Sequence, residues 1–204
     1  YASEHTGLLS SYPLQFFGGL ENYGLLALPL FILLGECMHE GGIARRLMAA
    51  AAALIGSVKG GLAYINLLAN MMMASILGST VAQVTIMTRI AVPEMEKAGY
   101  PKDVSITITA LGGLLAPIIP PSMLFIIYGV IAQISIGDLF LAGIIPGLLL
   151  SLAFLAIIGW LARKNNYPYT QRQTSHQRLH ALLHSLPSVM IPIIIIGCIL
   201  GGIA

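Results

Sequence analysis

The chain has 204 residues, 57% of them hydrophobic and 9% charged, with a formal net charge of +2 and a mean hydropathy of +0.87. Soluble domains carry roughly 25% charged residues, so this composition excludes an ordinary water-soluble globule and makes lipid the solvent for most of the chain. There is no basic run, aromatic-interleaved basic patch or zinc-finger spacing, which argues against nucleic acid. Enzyme and ATPase readings also lack support, since no Ser/His/Asp set, His-Glu-x-x-His or P-loop lysine occurs.

In chain order, residues 1–23 read as a loop with Glu4 and Glu21 and no Lys or Arg. No signal peptide is visible after Tyr1, and the last apolar run stops at Ala204, so both ends are expected to be cut from a longer chain. Residues 24–38 form an apolar run and a first spanning helix, broken by Gly41-Gly42. Ile43, Leu47, Met48, Leu54 and Ile55 share one helical face from which Arg45 and Arg46 are excluded, the pattern of a helix lying in the membrane interface. The spanning and interfacial helices together make up 24–58. Next comes a pair of apolar limbs, 60–97, joined by Gly78-Ser79-Thr80. They fit either two full spans or a re-entrant hairpin, and the small hydroxyl-bearing tip favours the hairpin.

The segment 102–135 is apolar but interrupted by Gly112-Gly113, Pro117 and Pro120-Pro121. Proline removes a helical hydrogen bond and pushes the preceding residue toward extended geometry. Ile118-Ile119 is therefore expected to be non-helical, with a new half-helix starting near Pro121. Residues 139–161 form the cleanest span, ending near Trp160. A polar loop at 162–185 precedes a further apolar run from Ile191, and 137–204 together read as scaffold helices. Cys37 and Cys198 sit in apolar runs and read as small buried hydrophobes.

All Lys and Arg residues except Arg89 fall after the first span, at the foot of the hairpin, or in the 162–185 loop. The positive-inside rule then makes 39–60, 97–103 and 162–185 cytoplasmic.

Non-helical backbone at membrane depth is tolerated only where protein or a water-filled cavity covers it. Transporters build substrate and ion sites from such breaks. Ser79 or Thr80 is expected to cap the second limb, whose first amides, near Val81 and Ala82, suit a carboxylate. The break, from Gly112 and Gly113 through Pro117, is expected to leave carbonyls free for Na⁺, with Gly78, Ser79 and Thr80 helping. Each feature alone reads as an ordinary turn or kink; the two together favour function. Asn66 and Asn70, four apart on one limb, read first as interhelical hydrogen-bonding groups and second as cation support. Arg89 reads as a partner of Glu94 or Glu96, or as snorkelling. His176, His180 and His184 would line up on a helix, but no carboxylate completes a metal set.

The same segments carry a family resemblance. The stretch Leu28-Pro29-Leu30-Phe31-Ile32-Leu33-Leu34-Gly35-Glu36 with Gly41-Gly42-Ile43-Ala44-Arg45-Arg46 resembles the large membrane (M) subunit of tripartite ATP-independent periplasmic (TRAP) transporters. So do Gly60-Gly61-Leu62, Ala74-Ser75-Ile76-Leu77-Gly78-Ser79-Thr80-Val81-Ala82 and Pro93-Glu94-Met95 with Gly99-Tyr100. The series continues with Ala116-Pro117-Ile118-Ile119-Pro120-Pro121-Ser122, Tyr128-Gly129-Val130 and Leu139-Phe140-Leu141-Ala142-Gly143-Ile144-Ile145-Pro146-Gly147. Two departures stand out: Thr80 where the family's tip usually has Ser or Ala, and Gln83 where small or acidic residues are common.

The resemblance implies an all-α membrane protein of the elevator type, with a re-entrant hairpin and a broken helix forming the first of two inverted repeats. It implies Na⁺-coupled import of an organic acid anion, such as a C4-dicarboxylate or sialic acid, through the bacterial inner membrane. Na⁺ would be the coupling ion and no other cofactor is expected. Its implied partners are a periplasmic substrate-binding protein and a small (Q-type) membrane subunit. Substrate would contact Ser79, Thr80, Val81, Ala82, Pro120, Pro121 and Ser122. Sodium would contact Gly78, Ser79, Thr80, Gly112, Gly113 and Pro117, with polar support from Asn66 and Asn70. The rival readings are a carboxylate or anion carrier of the same superfamily that needs no binding protein, and a membrane subunit with a structural role.

Overall fold

A computed structural model describes residues 40–169 continuously, with 29–30, 32–33, 35–37, 181, 183, 185–187, 190, 194 and 197–198 beside them. The continuous part holds six helices: α1 (Ile43–Ile55), α2 (Gly61–Leu77), α3 (Thr80–Lys97), α4 (Lys102–Gly113), α5 (Met123–Ala132) and α6 (Ile136–Lys164). The described residues contain no strand, only an isolated bridge between Lys59 and Tyr169. The expected segment 1–23 lies outside the described residues, as do most of the 24–38 and 191–203 spans and most of the 162–185 loop.

Helix α1 lies against α2 and α3. It buries Ile43, Ala44, Leu47, Ala50, Ala51 and Ala53 and leaves Arg45 and Arg46 exposed. Leu54, expected on the apolar face, is 59% exposed. Four alanines join Ile43 and Leu47 in the contact, because small residues let helix backbones approach closely where lipid-like surroundings weaken the hydrophobic drive.

Helices α2 and α3 form the hairpin, and α2 runs antiparallel to α6. A methyl on Gly60 would sit 2.5 Å from Ala162 Cβ, and one on Gly159 would sit 2.5 Å from Tyr64 Oη. Farther along, Leu68 and Leu155 line one cavity, and Ser75 and Ile144 another.

Helices α4 and α5, with the break between them, lie along the same α6. Asp103 and Asn165 share a cavity near the foot. Gly147 faces Ile119, Gly143 faces Ile118 O and Phe125, and Gly129 faces Ile136 and Leu139 near the other end. The stripe Gly143, Gly147 and Ser151 is buried, so the irregular backbone of the break can pack directly on α6. At 1.5 Å per residue, α6 is about 43 Å long, and the break meets it about 10–17 Å from its N-terminal end. Among the described residues, α6 is the helix long and apolar enough to cross a membrane.

Candidate functional site

The site begins with the hairpin tip. Gly78 closes α2 in left-handed geometry (φ 58°), which glycine adopts without strain. Ser79 is extended and is the N-cap of α3; its carbonyl accepts from Gln83 N at 3.0 Å, but its side chain makes no cap bond. The expected hydroxyl cap is therefore absent. Thr80 occupies the first helical position, so the first-turn amides of α3, from Thr80 through Ala82, receive no side-chain oxygen from their own cap. Ser79, Thr80 and Ala82 are half-buried, and Val81 is 77% exposed.

The break runs from Leu114 to Ser122. Ile118 and Ile119 are non-helical, as expected from the flanking prolines. The half-helix starts at Met123, two residues beyond the expected position, because Ser122 is extended (φ −120°, ψ 133°) and serves as the N-cap. The Pro120–Pro121 peptide is cis. Ser122 Oγ turns back to donate to Pro117 O at 2.9 Å, which is why it does not cap α5.

The break also leaves fewer open carbonyls than its prolines suggest. Gly112 O accepts from Leu115 N at 3.2 Å, Gly113 O from Ala116 N at 3.2 Å, and Leu115 O from Ile118 N and Ile119 N at 3.0 and 2.9 Å. Tight i→i+3 turns thus replace the lost helical bonds. Any cation at Gly113 or Pro117 would have to use the second lone pair of a carbonyl that already accepts one bond, and Gly112 O, which accepts from both Leu115 N and Gln83 Nε2, has none to spare.

Tip and break meet. A methyl on Gly78 would fall 2.8 Å from Met123 N and 3.5 Å from Pro121 O. A methyl on Gly113 would collide with Val84 and lie 3.7 Å from Thr80 O. The expected residues Gly78, Thr80, Gly113, Pro121 and Ser122 therefore share one locality. Pro120, Pro121 and Ser122 are buried, whereas Ser79, Thr80 and Ala82 are half-buried and Val81 is exposed.

Behind the tip runs a polar chain. Asn66 Nδ2 donates to Thr109 Oγ1 at 2.8 Å, and Thr109 Oγ1 donates to Ser105 O at 2.8 Å. Asn70 Nδ2 donates to Asn66 Oδ1 at 2.8 Å and to Asn66 O at 2.9 Å. Gln83 Nε2 donates to Asn70 O, Asn70 Oδ1 and Gly112 O at 2.9, 3.0 and 3.3 Å. Asn66, Asn70, Gln83, Ser105 and Thr109 are all fully buried. With three acceptors around Nε2, the amide cannot be flipped without facing oxygen to oxygen. Gln83 Oε1 is left buried without a partner.

Asn66 and Asn70 were expected to bond between helices; Asn66 does so to α4, and Asn70 is bridged to the other limb by Gln83. The joining roles of Gln83 and Thr109 were not foreseen. The available signal was a buried-type amide on an apolar limb, three residues past the turn. Gly112 must stay small beside this chain, since a methyl there would lie 2.6 Å from Asn70 Cγ.

Other expected groups fall elsewhere. Glu94 pairs with Lys97 at 3.0 Å, one helical turn away, so it is not the partner of Arg89, which is exposed. Cys37, expected buried, is exposed. His176, His180 and His184 lie outside the described residues. Among the described residues no cluster of His, Cys, Asp or Glu side chains could hold a metal.

Comparison with known proteins bears on this geometry. A family model described as "Tripartite ATP-independent periplasmic transporter, DctM component" matches residues 6–204. The chain is 39% identical over 185 residues to the 2,3-diketo-L-gulonate TRAP transporter large permease of Escherichia coli K12, covering 91% of this chain and 44% of that protein. It is 37% identical over 192 residues to the C4-dicarboxylate TRAP transporter large permease of Pseudomonas aeruginosa, covering 94% and 45%. It is 38% identical over 184 residues to a sialic acid TRAP transporter permease of Haemophilus influenzae, covering 90% and 30%. The chain thus spans less than half the length of these curated relatives.

Proposed function

The chain belongs to the DctM family of tripartite ATP-independent periplasmic transporters, and from that membership we propose that it supplies the first half of a transport site for an organic acid anion. Import would be driven by Na⁺ across the bacterial inner membrane. A periplasmic substrate-binding protein would deliver the solute, and a small Q-type subunit, separate or fused, would complete the membrane complex. One observation carries this reading: Gly78 at the hairpin tip packs on the backbone of Pro121–Met123, so two interruptions of helical backbone are joined into one locality.

Depth supports a re-entrant hairpin. The tip meets the break, and the break meets α6 at Gly143–Gly147. That level lies about 10–17 Å inside the N-terminal end of the helix that crosses the membrane. Two full spans would instead carry the tip to the end of α6. A tip within lipid depth must be covered by protein or line a solvated cavity. The amides of α3 then present a positive dipole end to a carboxylate. The hydroxyls of Ser79 and Thr80, with second lone pairs at Gly113 and Pro117, offer hard oxygen ligands to Na⁺, whereas Gly112 O is taken by Leu115 N and Gln83 Nε2. The polar chain through Asn66, Asn70 and Gln83 holds these groups in register and does not itself meet solute.

The test is uptake by the full-length protein, with its partners, in proteoliposomes. Replacing Ser79 and Thr80 together by Ala is expected to abolish uptake without unfolding the protein. Uptake at the full rate with no Na⁺ gradient overturns the coupling; uptake without any binding protein favours the independent-carrier reading; wild-type uptake by the double variant overturns the site.

A further inference from the structure

One cavity lies away from the tip and break. It has a volume of about 660 Å³ and sits between the end of α1, the 56–60 loop, α2 and the last turns of α6. We propose that this cavity is a binding site for an anionic glycerophospholipid of the cytoplasmic leaflet. The inference rests on the reading of this chain as membrane-embedded with its basic ends toward the cytoplasm.

The lining is graded in the way a phospholipid is. Leu68 and Leu155 line the part farthest from the helix ends, while Lys59 and Arg163 stand at the end where α6 terminates. The order follows from antiparallel packing: Leu68 is two turns into α2 from Lys59, and Leu155 two turns back along α6 from Arg163. Among the described residues, no acidic side chain lines the cavity. Basic pockets between membrane helices on the cytoplasmic side suit anionic headgroups, and that leaflet supplies them.

The donors at the mouth are available. Among the described residues Lys59 Nζ gives one hydrogen bond, at 2.5 Å to Asn166 Oδ1, which holds the ammonium in place and leaves its other protons to a ligand. Arg163 has no ion-pair partner among the described residues. The hydroxyl of Tyr64 lies beside Gly159, where any side chain would displace it, and it has no hydrogen-bond partner among the described residues. It too can donate to a phosphate or glycerol oxygen.

The rim is built rather than loose. Lys59 and Tyr169 form a backbone bridge, and Gly60 N donates to Pro168 O at 3.1 Å. The two segments carrying the polar mouth are therefore tied together. At the same level Trp160 is 60% exposed and carries the Lys164 ammonium 4.8 Å from its ring centroid. That pairing marks a membrane–water boundary, where aromatic rings and snorkelling cations collect. The cavity therefore has its charged mouth at headgroup level and its apolar floor at acyl level.

Lys59→Gln with Arg163→Gln tests the site in the full-length protein purified in detergent. Thermal unfolding and lipid retention are read against phosphatidylglycerol, phosphatidylethanolamine and inorganic phosphate. Phosphatidylglycerol is expected to raise the melting temperature and to survive purification, with little effect from the other two. Loss of both charges should weaken phosphatidylglycerol binding by about 30-fold, since each basic group near an anionic surface contributes about 1 kcal/mol. Leu155→Trp, which fills the floor and keeps both charges, should also block retention, and it stands in if the charge variant does not fold. Equal binding of the two lipids overturns the proposal. So does full stabilisation by inorganic phosphate alone, which would mark a free-anion site. Retention unchanged in Leu155→Trp overturns it as well, because the cavity would then be filled by other parts of the full chain. Na⁺-driven uptake is measured separately, so its failure would sink the transport reading and leave the lipid result standing.

Discussion

Gln83 joins the two limbs of the hairpin to the end of α4 through a single NH₂ group, and three acceptors depend on it. Gln83→Leu leaves those oxygens without that donor in a buried setting, at a cost of about 1–3 kcal/mol. Gln83→Glu should be worse at neutral pH, because a carboxylate would face three oxygens. Chemical denaturation in detergent reads both, and a Leu variant as stable as the parent would show that the chain of amides is dispensable. Gly78 is a second sensitive position. A methyl there meets the Met123 backbone 2.8 Å away, and the φ of 58° disfavours any L side chain. Gly78→Ala is expected to push tip and break apart and to lower both melting temperature and uptake, whereas Gly42→Ala, with open space around it, should cost only its backbone strain. A third prediction concerns pH. Tyr100 sits in the turn between α3 and α4, packed on Tyr167 with ring centroids 4.9 Å apart. Burial pushes its phenol up to about 12, offset in part by the backbone of Ala63 and Leu62. The folded state thus holds this proton more tightly than the unfolded chain, whose ordinary value is about 10. The stabilisation is complete below pH 10 and is lost as pH rises toward 12. Melting temperature should fall through that window, and Tyr100→Phe should flatten the slope.

The interrupted segment was legible as an element because proline acts locally. Pro117 and Pro120-Pro121 remove helical donors wherever they stand, so a break over Ile118-Ile119 follows from the sequence. The repair of the break was not legible. Whether Gly112, Gly113 and Leu115 lose their hydrogen bonds or recover them in tight turns depends on how the backbone settles on Gly143 and Gly147 of α6, some 30 residues away. The start of α5 likewise depended on Ser122, whose hydroxyl chose Pro117 O over the helix it precedes. Removing that bond by Ser122→Ala should free Pro117 O and loosen the turn. A changed Na⁺ dependence of melting temperature in this variant would place the cation near Pro117, and an unchanged one would place it elsewhere. For α1 the amphipathic pattern was correct in kind. Its packing face also carries alanines, which a hydrophobicity pattern scarcely weights, and Leu54, on that same face seven residues after Leu47, is exposed because it lies near the end of the helix.

At the scale of the molecule, α6 is the ruler against which the other elements are measured. The hairpin climbs beside it from Ala162 to the level of Ile144, and the α4–break–α5 line follows it from Asn165 to Ile136. A cysteine at Val81, which is exposed at the tip, tests the depth this implies once Cys37 and Cys198 are replaced by Ser. A membrane-impermeant thiol reagent added from the periplasmic side should label Val81→Cys slowly, and substrate should slow it further. Labelling as fast as an open loop cysteine would mean two full spans. The sequence by itself determined the helical class, the grouping of the basic residues and the positions where helices must stop, because composition, charge and the covalent chemistry of Gly and Pro act on the chain locally. Only the tertiary structure decided that the two stops meet, that Gln83 and Thr109 complete the polar chain, and that the carbonyls of Gly112, Gly113, Leu115 and Pro117 regain donors. Those outcomes are set by contacts between residues distant in sequence, where a fraction of an ångström of backbone approach, permitted at Gly78, Gly112 and Gly113 and refused to any larger side chain, selects one packing over the rest.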